Sequence, residues 1–159
     1  MINKSKRYWP DNTIYFITGV TSLYFPYFSE CMKKKILLNQ IKRATKNYSA
    51  SDIIFSIASN HYHLKCHSKN DTDLAKIKQI INGGTSYEYR KSFKMKYQEM
   101  WQCTKSLQVT SDDMDWRVTG YIIGNLLKHK EVNTFQELRD NPFSSYRQID
   151  DKYGEEFAR

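Results

Sequence analysis

The sequence predicts an α+β fold in which an antiparallel sheet of four strands carries helices on one face. Two observations predict it. Four short runs of the 159-residue chain are rich in β-branched and aromatic residues, which favour strands. Between and after these runs, apolar residues recur at spacings of three and four, which is typical of helices packed on a core. The alternation of the two patterns gives the order of the elements.

The first half of the chain predicts a strand, a helix and two further strands. Residues 13–21 are β-branched and aromatic, so they predict the first strand. From about Ser29 the apolar residues take helical spacing, with lysines on the opposite side. Residues 52–58 form an apolar run, and residues 61–67 follow after a short turn, so both predict strands.

The next elements complete the predicted sheet. Asp71 begins a second helix, and Gly83 with Gly84 is expected to break or kink it before a further helical stretch. Residues 101–109 predict the fourth strand. The resulting order, β-α-β-β-α-β, is that of a ferredoxin-like sandwich.

Further helical patterns follow the fourth strand. Ser111 is expected to cap a third helix that runs to about Lys130, and Thr134 to cap a short final helix. The segment after Pro142 is polar, so we expect a loosely held tail. No linker or repeat interrupts the pattern, which predicts a single domain over residues 1–159 with its core at about residues 8–132.

The charge of the chain favours a nucleic-acid partner. Lys and Arg number 25 against 17 Asp and Glu, which gives a net charge of +8, and aromatic residues make up 14%. Cations for phosphates and rings for bases are what a single-stranded nucleic acid requires. A basic protein with tyrosines in its core remains the alternative on composition alone. The clustered cations, which are the candidate nucleic-acid contacts, are Lys33, Lys34, Lys35, Lys42, Arg43, Arg90, Lys91 and Lys94.

The cysteines and the apolar runs indicate the compartment. Cys31, Cys66 and Cys103 are widely spaced and odd in number, so they form neither a disulfide framework nor a zinc knuckle. The first ten residues lack the apolar stretch of a signal peptide, and no apolar run reaches the length of a membrane span. We therefore expect a cytoplasmic protein without a membrane partner.

Two histidines on the predicted third strand are candidate metal ligands. His61 and His63 flank Tyr62, and side chains two residues apart on a strand project from the same face. Two adjacent imidazoles provide half of a divalent-metal site. A pair of surface or structural histidines is the alternative, because an isolated H-x-H pattern is a weak signal.

Tyr121 and Asn125 lie four residues apart on the predicted third helix, so they share one face. If that face met the histidines, Asn125 would add an amide oxygen and leave positions open for water or a phosphate oxygen, which suits Mg²⁺ or Mn²⁺. Tyr121 would then attack a phosphodiester and form a phosphotyrosine ester that retains the bond energy. Core packing for Tyr121 and a polar surface position for Asn125 remain the alternatives.

Four segments resemble one family in the same order along the chain. The segment from Asn60 to Leu64 resembles the P-N-H-x-H-L motif of the HUH endonucleases, in particular the single-tyrosine transposases. Residues 121–129 resemble that family's Y-I-x-x-N-P-V-K-x segment, residues 101–102 its W-Q pair and residues 15–18 its first strand. The resemblance is closest to the REP-associated tyrosine transposases, relatives of the smallest insertion-sequence transposases.

The resemblance implies cleavage of single-stranded DNA with Mg²⁺ or Mn²⁺, through a 5′-phosphotyrosine and after recognition of a DNA hairpin. Carried over residue by residue, it makes His61, His63 and Asn125 the metal ligands and Tyr121 the nucleophile. It leaves the protein either a monomer or a homodimer. At the end of the same segment, Lys128 and His129 are candidates for contacts with DNA phosphate, with a solvated helix end as the equal alternative.

The chain departs from the family pattern at two places. Ala58 and Ser59 stand where the family has Met-Pro, and Leu126 stands where it has Pro. Neither change removes a catalytic atom. Such drift also occurs in copies that bind a hairpin as regulators without cutting it, and that function is the first alternative. An RNA-binding ferredoxin-like module is a weaker alternative, because no RNP-type aromatic segment is present.

Overall fold

The computed structural model describes residues 12–96 and 98–158 of the chain. The strands are Thr13–Thr21 (β1), Ser51–Ile57 (β2), His61–Ser68 (β3) and Trp101–Val109 (β4). The helices are Cys31–Asn47 (α1), Asp71–Gln79 (α2), Thr85–Phe93 (α3), Asp112–Ile123 (α4), Asn125–Lys128 (α5), Phe135–Asp140 (α6), Tyr146–Tyr153 (α7) and Glu155–Ala158 (α8). Of the predicted core, residues 8–11 and residue 97 lie outside the described residues.

The strands form one antiparallel sheet in the order β2-β3-β1-β4. This arrangement confirms the predicted α+β class and the β-α-β-β-α-β order. The central strands β1 and β3 are paired so that Thr18 lies opposite His63 and Val20 lies opposite His61. The register therefore brings the two histidines to the middle of the sheet.

One face of the sheet is sealed by α1, α2 and α3. Tyr62, Leu64 and Cys66 of β3 project into this core, and each is completely buried. Gly19 of β1 lets the Tyr62 ring approach, because a Cβ on Gly19 would lie 2.2 Å from the ring atom Cε1. Any side chain at this position would displace the ring.

The other face is covered by the helices that follow β4. Ile54 and Val109 of the sheet pack there against Val118 and Ile122 of α4, in a second apolar core. The helices that lie between the strands of the sheet thus cover one face, as predicted, and the additional helices after β4 cover the other. The second layer forms because β1, β2 and β4 also carry apolar side chains on this face, which exclude water only when helices cover them.

Two predicted boundaries differ in detail. The helix does not end at Gly83 and Gly84 but continues from α2 into α3 through a π-helical turn at Ile80–Gly84. A Cβ on Gly84 would lie 2.3 Å from the side-chain oxygen of Gln40, so this glycine permits close packing against α1. The helix capped by Ser111 ends at Ile123 and resumes as the short α5.

The segment after Pro142 is packed rather than loosely held, so that expectation is wrong. Phe143, Tyr146 and Ile149 are buried. The backbone N–H of Ser145 donates to Phe55 O at 2.9 Å, and that of Ile57 donates to Phe143 O at 2.9 Å. The segment therefore pairs with the edge of the sheet at β2. Within the described residues, no helix is long and apolar enough to cross a membrane.

Candidate active site

The two histidines of β3 face the second layer of helices. Both are buried, His63 more deeply, and their ring centroids lie 5.0 Å apart. Because Tyr62 between them projects into the opposite core, the alternation of the strand puts both imidazoles on one face, as expected.

Each imidazole is oriented by a hydrogen bond at Nδ1. His61 Nδ1–H donates to Asn60 Oδ1 at 2.7 Å, and His63 Nδ1 lies 2.9 Å from the hydroxyl oxygen of Thr18. The Asn60 amide is itself oriented, since its Nδ2 donates to Tyr24 O at 3.2 Å. These partners leave Nε2 of both rings as the nitrogen available to a ligand.

Asn125 completes the set of donors. Its side chain is fully buried, and its Oδ1 lies 3.2 Å from His61 Nε2. Burial, and next electrostatic repulsion from His129, lower the pKa of His61, so the ring is neutral near pH 7. Because its Nδ1–H donates to Asn60, Nε2 carries the lone pair. Two acceptors then face each other, and a shared cation would satisfy both.

Two buried polar atoms of the site lack hydrogen-bond partners among the described residues, namely His63 Nε2 and Asn125 Nδ2. Burial lowers the pKa of His63 to about 3, and repulsion from His61, when that ring is protonated at low pH, adds to this effect, so the His63 ring stays neutral near pH 7. An orphaned buried polar atom costs about 1–3 kcal/mol, which binding of a ligand at His63 Nε2 would offset.

The donor set fits a divalent cation. Two imidazole nitrogens and an amide oxygen, with open positions and no thiolate, suit Mn²⁺ or Mg²⁺ better than a closed zinc site. In the described part of the chain, no group of three or more His, Cys, Asp and Glu side chains is arranged to hold a metal. A cation at this site therefore depends on the amide oxygen of Asn125.

Tyr121 lies next to these donors at the surface. Its ring centroid is 5.0 Å from that of His63, and 44% of the residue is exposed. The ammonium of Lys128 lies 5.0 Å from the centroid of the same ring, and Phe16 contacts the ring edge-on. A large substrate can therefore reach the phenol without any rearrangement of the core.

A buried ion pair fixes the helix that carries Tyr121. Lys65 of β3 extends between the sheet and α4, where its Nζ lies 2.5 Å from Asp115 Oδ1 and 2.7 Å from Thr119 Oγ1. These contacts join the strand of the histidines to the helix of the tyrosine. The sequence interpretation did not include Lys65, although its position two residues after His63 puts it on the same face.

Sequence reasoning also missed Thr18 and Glu131. Thr18 is detectable only from the strand register, which pairs it with His63. Glu131 accepts a hydrogen bond from the Ser59 backbone N–H and forms an ion pair with Lys34, which supports the chain just before the histidines. No pattern in the sequence links these distant positions.

An open cavity of about 740 Å³ adjoins Tyr121 and His63. Phe16 and Leu107 of the sheet contribute apolar side chains to its lining, and Lys78 and Lys105 contribute cations. The cavity therefore combines an apolar surface with positive charge beside the phenol.

The predicted basic contacts are divided between the two faces. Lys128 lies over Tyr121, and the His129 ring centroid is 4.7 Å from that of His61, so both belong to the site. Lys34 is buried in its ion pair with Glu131, which does not fit a contact with DNA, and Lys33 pairs with Glu30 at 2.6 Å. The others lie on the helices of the opposite face or just after them, namely Lys35, Lys42, Arg43, Arg90, Lys91 and Lys94.

Comparison with solved structures finds the same fold in two transposases. A REP-associated tyrosine transposase, solved with a REP hairpin bound, matches with a TM-score of 0.74 and 17% identity over 96% of this chain and 87% of that chain. A proposed transposase from Deinococcus radiodurans matches with a TM-score of 0.53 and 11% identity over 76% of this chain and 95% of that chain. A comparison with curated proteins finds no match.

A family model shows the relationship directly. The model of the IS200-like transposases matches residues 13–125, a span that begins with β1 and ends at Asn125. It thus includes both histidines, the tyrosine and the amide of the candidate site. The chain belongs to the family of IS200-like transposases.

Proposed function

We propose that the protein is a metal-dependent endonuclease and strand transferase for single-stranded DNA, in which Tyr121 is the nucleophile. The observation that carries the proposal is the position of the half-exposed Tyr121 ring, 5.0 Å from the ring of His63, whose buried Nε2 has no partner among the described residues. A nucleophile accessible to a polymer and a preorganised set of donors are the two parts that such a reaction requires.

The reaction exchanges one phosphodiester for another. Tyr121 Oη forms a bond to phosphorus, the bond from phosphorus to the 3′ oxygen breaks, and the DNA retains a 5′-phosphotyrosine. The phenol proton passes to solvent, and the departing 3′ oxygen takes up a proton from solvent. A second 3′-hydroxyl reverses the step and joins a new strand without ATP, since the ester retains the bond energy.

His61, His63 and Asn125 would hold the divalent cation through the two Nε2 atoms and Oδ1. When bound there, Mg²⁺ or Mn²⁺ supplies a Lewis acid that polarises the phosphodiester. Asn60 and Thr18 hold the imidazoles in the orientation that leaves both Nε2 atoms for this purpose. Lys65 holds α4, and with it Tyr121, against the strand of the histidines.

The substrate we propose is a DNA hairpin with a single-stranded flank. A related structure was solved with a REP hairpin bound, which supports the hairpin. Lys105 lines the cavity beside Tyr121 and Lys128 lies over the Tyr121 ring, which supports a path for phosphates at this face. The basic residues of α1 and α3 remain candidates for the hairpin stem.

The test is covalent trapping. The protein is incubated with Mn²⁺ and a labelled DNA hairpin that carries randomised single-stranded flanks, and a denaturing gel is used to detect DNA attached to protein. We expect an adduct with wild type, none with Tyr121→Phe, and a normal amount with Tyr87→Phe, which alters a similarly exposed tyrosine on α3. Hairpin binding without an adduct, across metals and flank sequences, would favour the alternative of a regulator that does not cut.

A further inference from the structure

Three consecutive apolar side chains project into solvent directly after β1. Leu23 is 90% exposed, Tyr24 62% and Phe25 55%. Here these residues are called the apolar loop. A globular protein seldom exposes a contiguous apolar group of this kind unless something binds to it.

The apolar loop is held in a conformation that its residues do not favour. Leu23 and Tyr24 have φ of 54° and 55°, in the left-handed region where bulky residues other than glycine are strained. Hydrogen bonds hold the loop there: the Leu23 N–H donates to Gln102 Oε1 at 3.1 Å, and the Thr21 hydroxyl donates to Phe25 O at 2.8 Å. The loop therefore presents its side chains on a fixed backbone.

The exposed rings are also supported from below. The Phe25 ring lies 4.7 Å from the ring of Tyr27, which is only 2% exposed. A ring that packs on a buried ring loses little conformational entropy when a flat ligand stacks on its other side.

Two hydrogen bonds connect the apolar loop to the candidate metal site. Asn60 Nδ2 donates to Tyr24 O at 3.2 Å, and His61 Nδ1–H donates to Asn60 Oδ1 at 2.7 Å. A single side chain thus spans from the loop backbone to a metal-binding histidine. A ligand bound to the apolar loop would therefore lie close to the candidate metal site.

The cavity, the two histidines and the apolar loop follow one another along β1. The cavity beside Phe16 comes first, the pair of Thr18 and His63 next, and the pair of Val20 and His61 after it. The apolar loop follows β1 at Thr21. Since a strand rises about 3.3 Å per residue, the end of β1, where the apolar loop follows, lies about 16 Å along the strand from Phe16, which contacts Tyr121.

We propose that the apolar loop binds unpaired bases of single-stranded DNA next to the cleavage position, by stacking on Leu23, Tyr24 and Phe25. The inference rests on the proposed function and adds a base-binding surface to it. Stacking on aromatic side chains is a general mode of single-strand binding, and the net charge of +8 favours a polyanion over another basic copy of this chain. Through Asn60, an occupied loop also steadies His61.

The test compares two DNA ligands in the Tyr121→Phe background, where no cutting occurs. One is a hairpin with unpaired flanks that carry 2-aminopurine, and the other is the same hairpin without flanks. Leu23→Asn and Tyr24→Asn should weaken binding of the flanked hairpin at least about fivefold and reduce the fluorescence change of 2-aminopurine. Both should leave binding of the blunt hairpin unchanged, as should the control Tyr87→Ala in both assays.

Thermal unfolding separates binding from a structural role. Asparagine tolerates the left-handed conformation better than leucine, so Leu23→Asn should keep or raise Tm while the flanked hairpin binds less well. A lower Tm together with equal loss on both ligands would mean that the loop is structural, and would overturn the proposal. Unchanged affinity for the flanked hairpin would also overturn it.

Three further outcomes distinguish the possible occupants of the apolar loop and separate this proposal from the proposed function. If light scattering shows a wild-type dimer that Leu23→Asn converts to a monomer, the loop binds a second copy and the proposal is wrong. If Tyr121 forms the covalent adduct but the loop variants bind normally, only this inference fails. If no adduct forms but flank binding depends on the loop, only the proposed cleavage fails.

Discussion

Both faces of β3 are buried, but one carries apolar side chains and the other carries polar ones. On one face, Tyr62, Leu64 and Cys66 are each 0% exposed and pack against α1, α2 and α3. On the other face, His61, His63 and Lys65 are 9%, 4% and 6% exposed beneath α4 and α5. One strand therefore buries three apolar side chains and three basic ones at alternating positions.

The two faces differ in the interactions that stabilise them. Burial of the apolar face stabilises the folded state by about 25 cal/mol for each Å² of apolar surface that is removed from water. The polar face depends on hydrogen bonds, and among the described residues its atom His63 Nε2 has none. The apolar face thus stabilises the fold, whereas the polar face buries nitrogen and oxygen atoms that could bind a ligand, which lowers the stability of the fold.

The largest expected effect on the free energy of unfolding comes from substituting two neighbouring residues that lie on opposite faces of β3. Leu64→Ala should lower the free energy of unfolding by about 2–5 kcal/mol, because it opens a cavity in a sealed core. His63→Leu should lower it by less, because removal of the orphaned Nε2 offsets part of the cost of losing the contact between Nδ1 and the Thr18 hydroxyl. Urea unfolding of both variants measures the difference.

Metal binding should respond in the reverse order. Leu64→Ala should keep its affinity for Mn²⁺ at temperatures where it remains folded, whereas His63→Leu should lose measurable binding in isothermal titration calorimetry. If His63→Leu were the more destabilised variant, or if it bound Mn²⁺ like wild type, the contrast between the faces would be incorrect.

Much of the fold was predictable because local pattern and tertiary structure agree. The boundaries of β1 match the predicted residues 13–21, and the Ser111 hydroxyl accepts a hydrogen bond from the Met114 N–H at 3.2 Å, as a helix cap should. The packed segment at Phe143 was not predictable, since its partners at the edge of β2 lie far away in the sequence. Local pattern contains no information on such pairing.

The same limit applies to the candidate site. The spacing of the two histidines, and of Tyr121 and Asn125, follows from strand and helix periods, so the sequence suffices to predict that each pair shares a face. The hydroxyl of Thr18 meets His63 only through the strand register, 45 residues away. The surface role of Lys34 was inferred from charge alone, which does not reveal its half-buried partner Glu131.

An intermediate effect is expected from the ion pair that joins the polar face to α4. Lys65→Met removes the contacts to Asp115 and Thr119, so it should lower the free energy of unfolding by about 1–3 kcal/mol. Because α4 carries Tyr121, adduct formation with DNA should slow about tenfold or more when the helix shifts. Gel-based rates of adduct formation measure this effect.

The affinity for Mn²⁺ is the control measurement. Lys65→Met should leave it near the wild-type value, because the three proposed metal ligands remain in place. Asp115→Asn keeps an acceptor for Lys65 and should have the smaller effect on adduct formation. A loss of metal affinity in Lys65→Met that equals the loss of rate would assign Lys65 to the metal site rather than to positioning of α4.

The smallest effect concerns the thiol on the apolar face. Burial raises the pKa of Cys66 from 9.0 to about 12, so the folded protein keeps the thiol protonated where the unfolded chain loses the proton. The stabilisation is complete below pH 9 and is lost as the pH rises from about 9 to about 12, by at most about 1.4 kcal/mol per pH unit.

Cys66→Ala should therefore flatten the decline of the unfolding free energy between pH 9 and pH 10.5, whereas Cys31→Ala, at an exposed position, should not. Burial also raises the pKa of Tyr62, but that residue is present in all three proteins, so the difference between their slopes isolates Cys66. Parallel slopes for Cys66→Ala and wild type in urea unfolding would mean that water reaches the apolar face, and the two faces of β3 would then differ less than their side chains indicate.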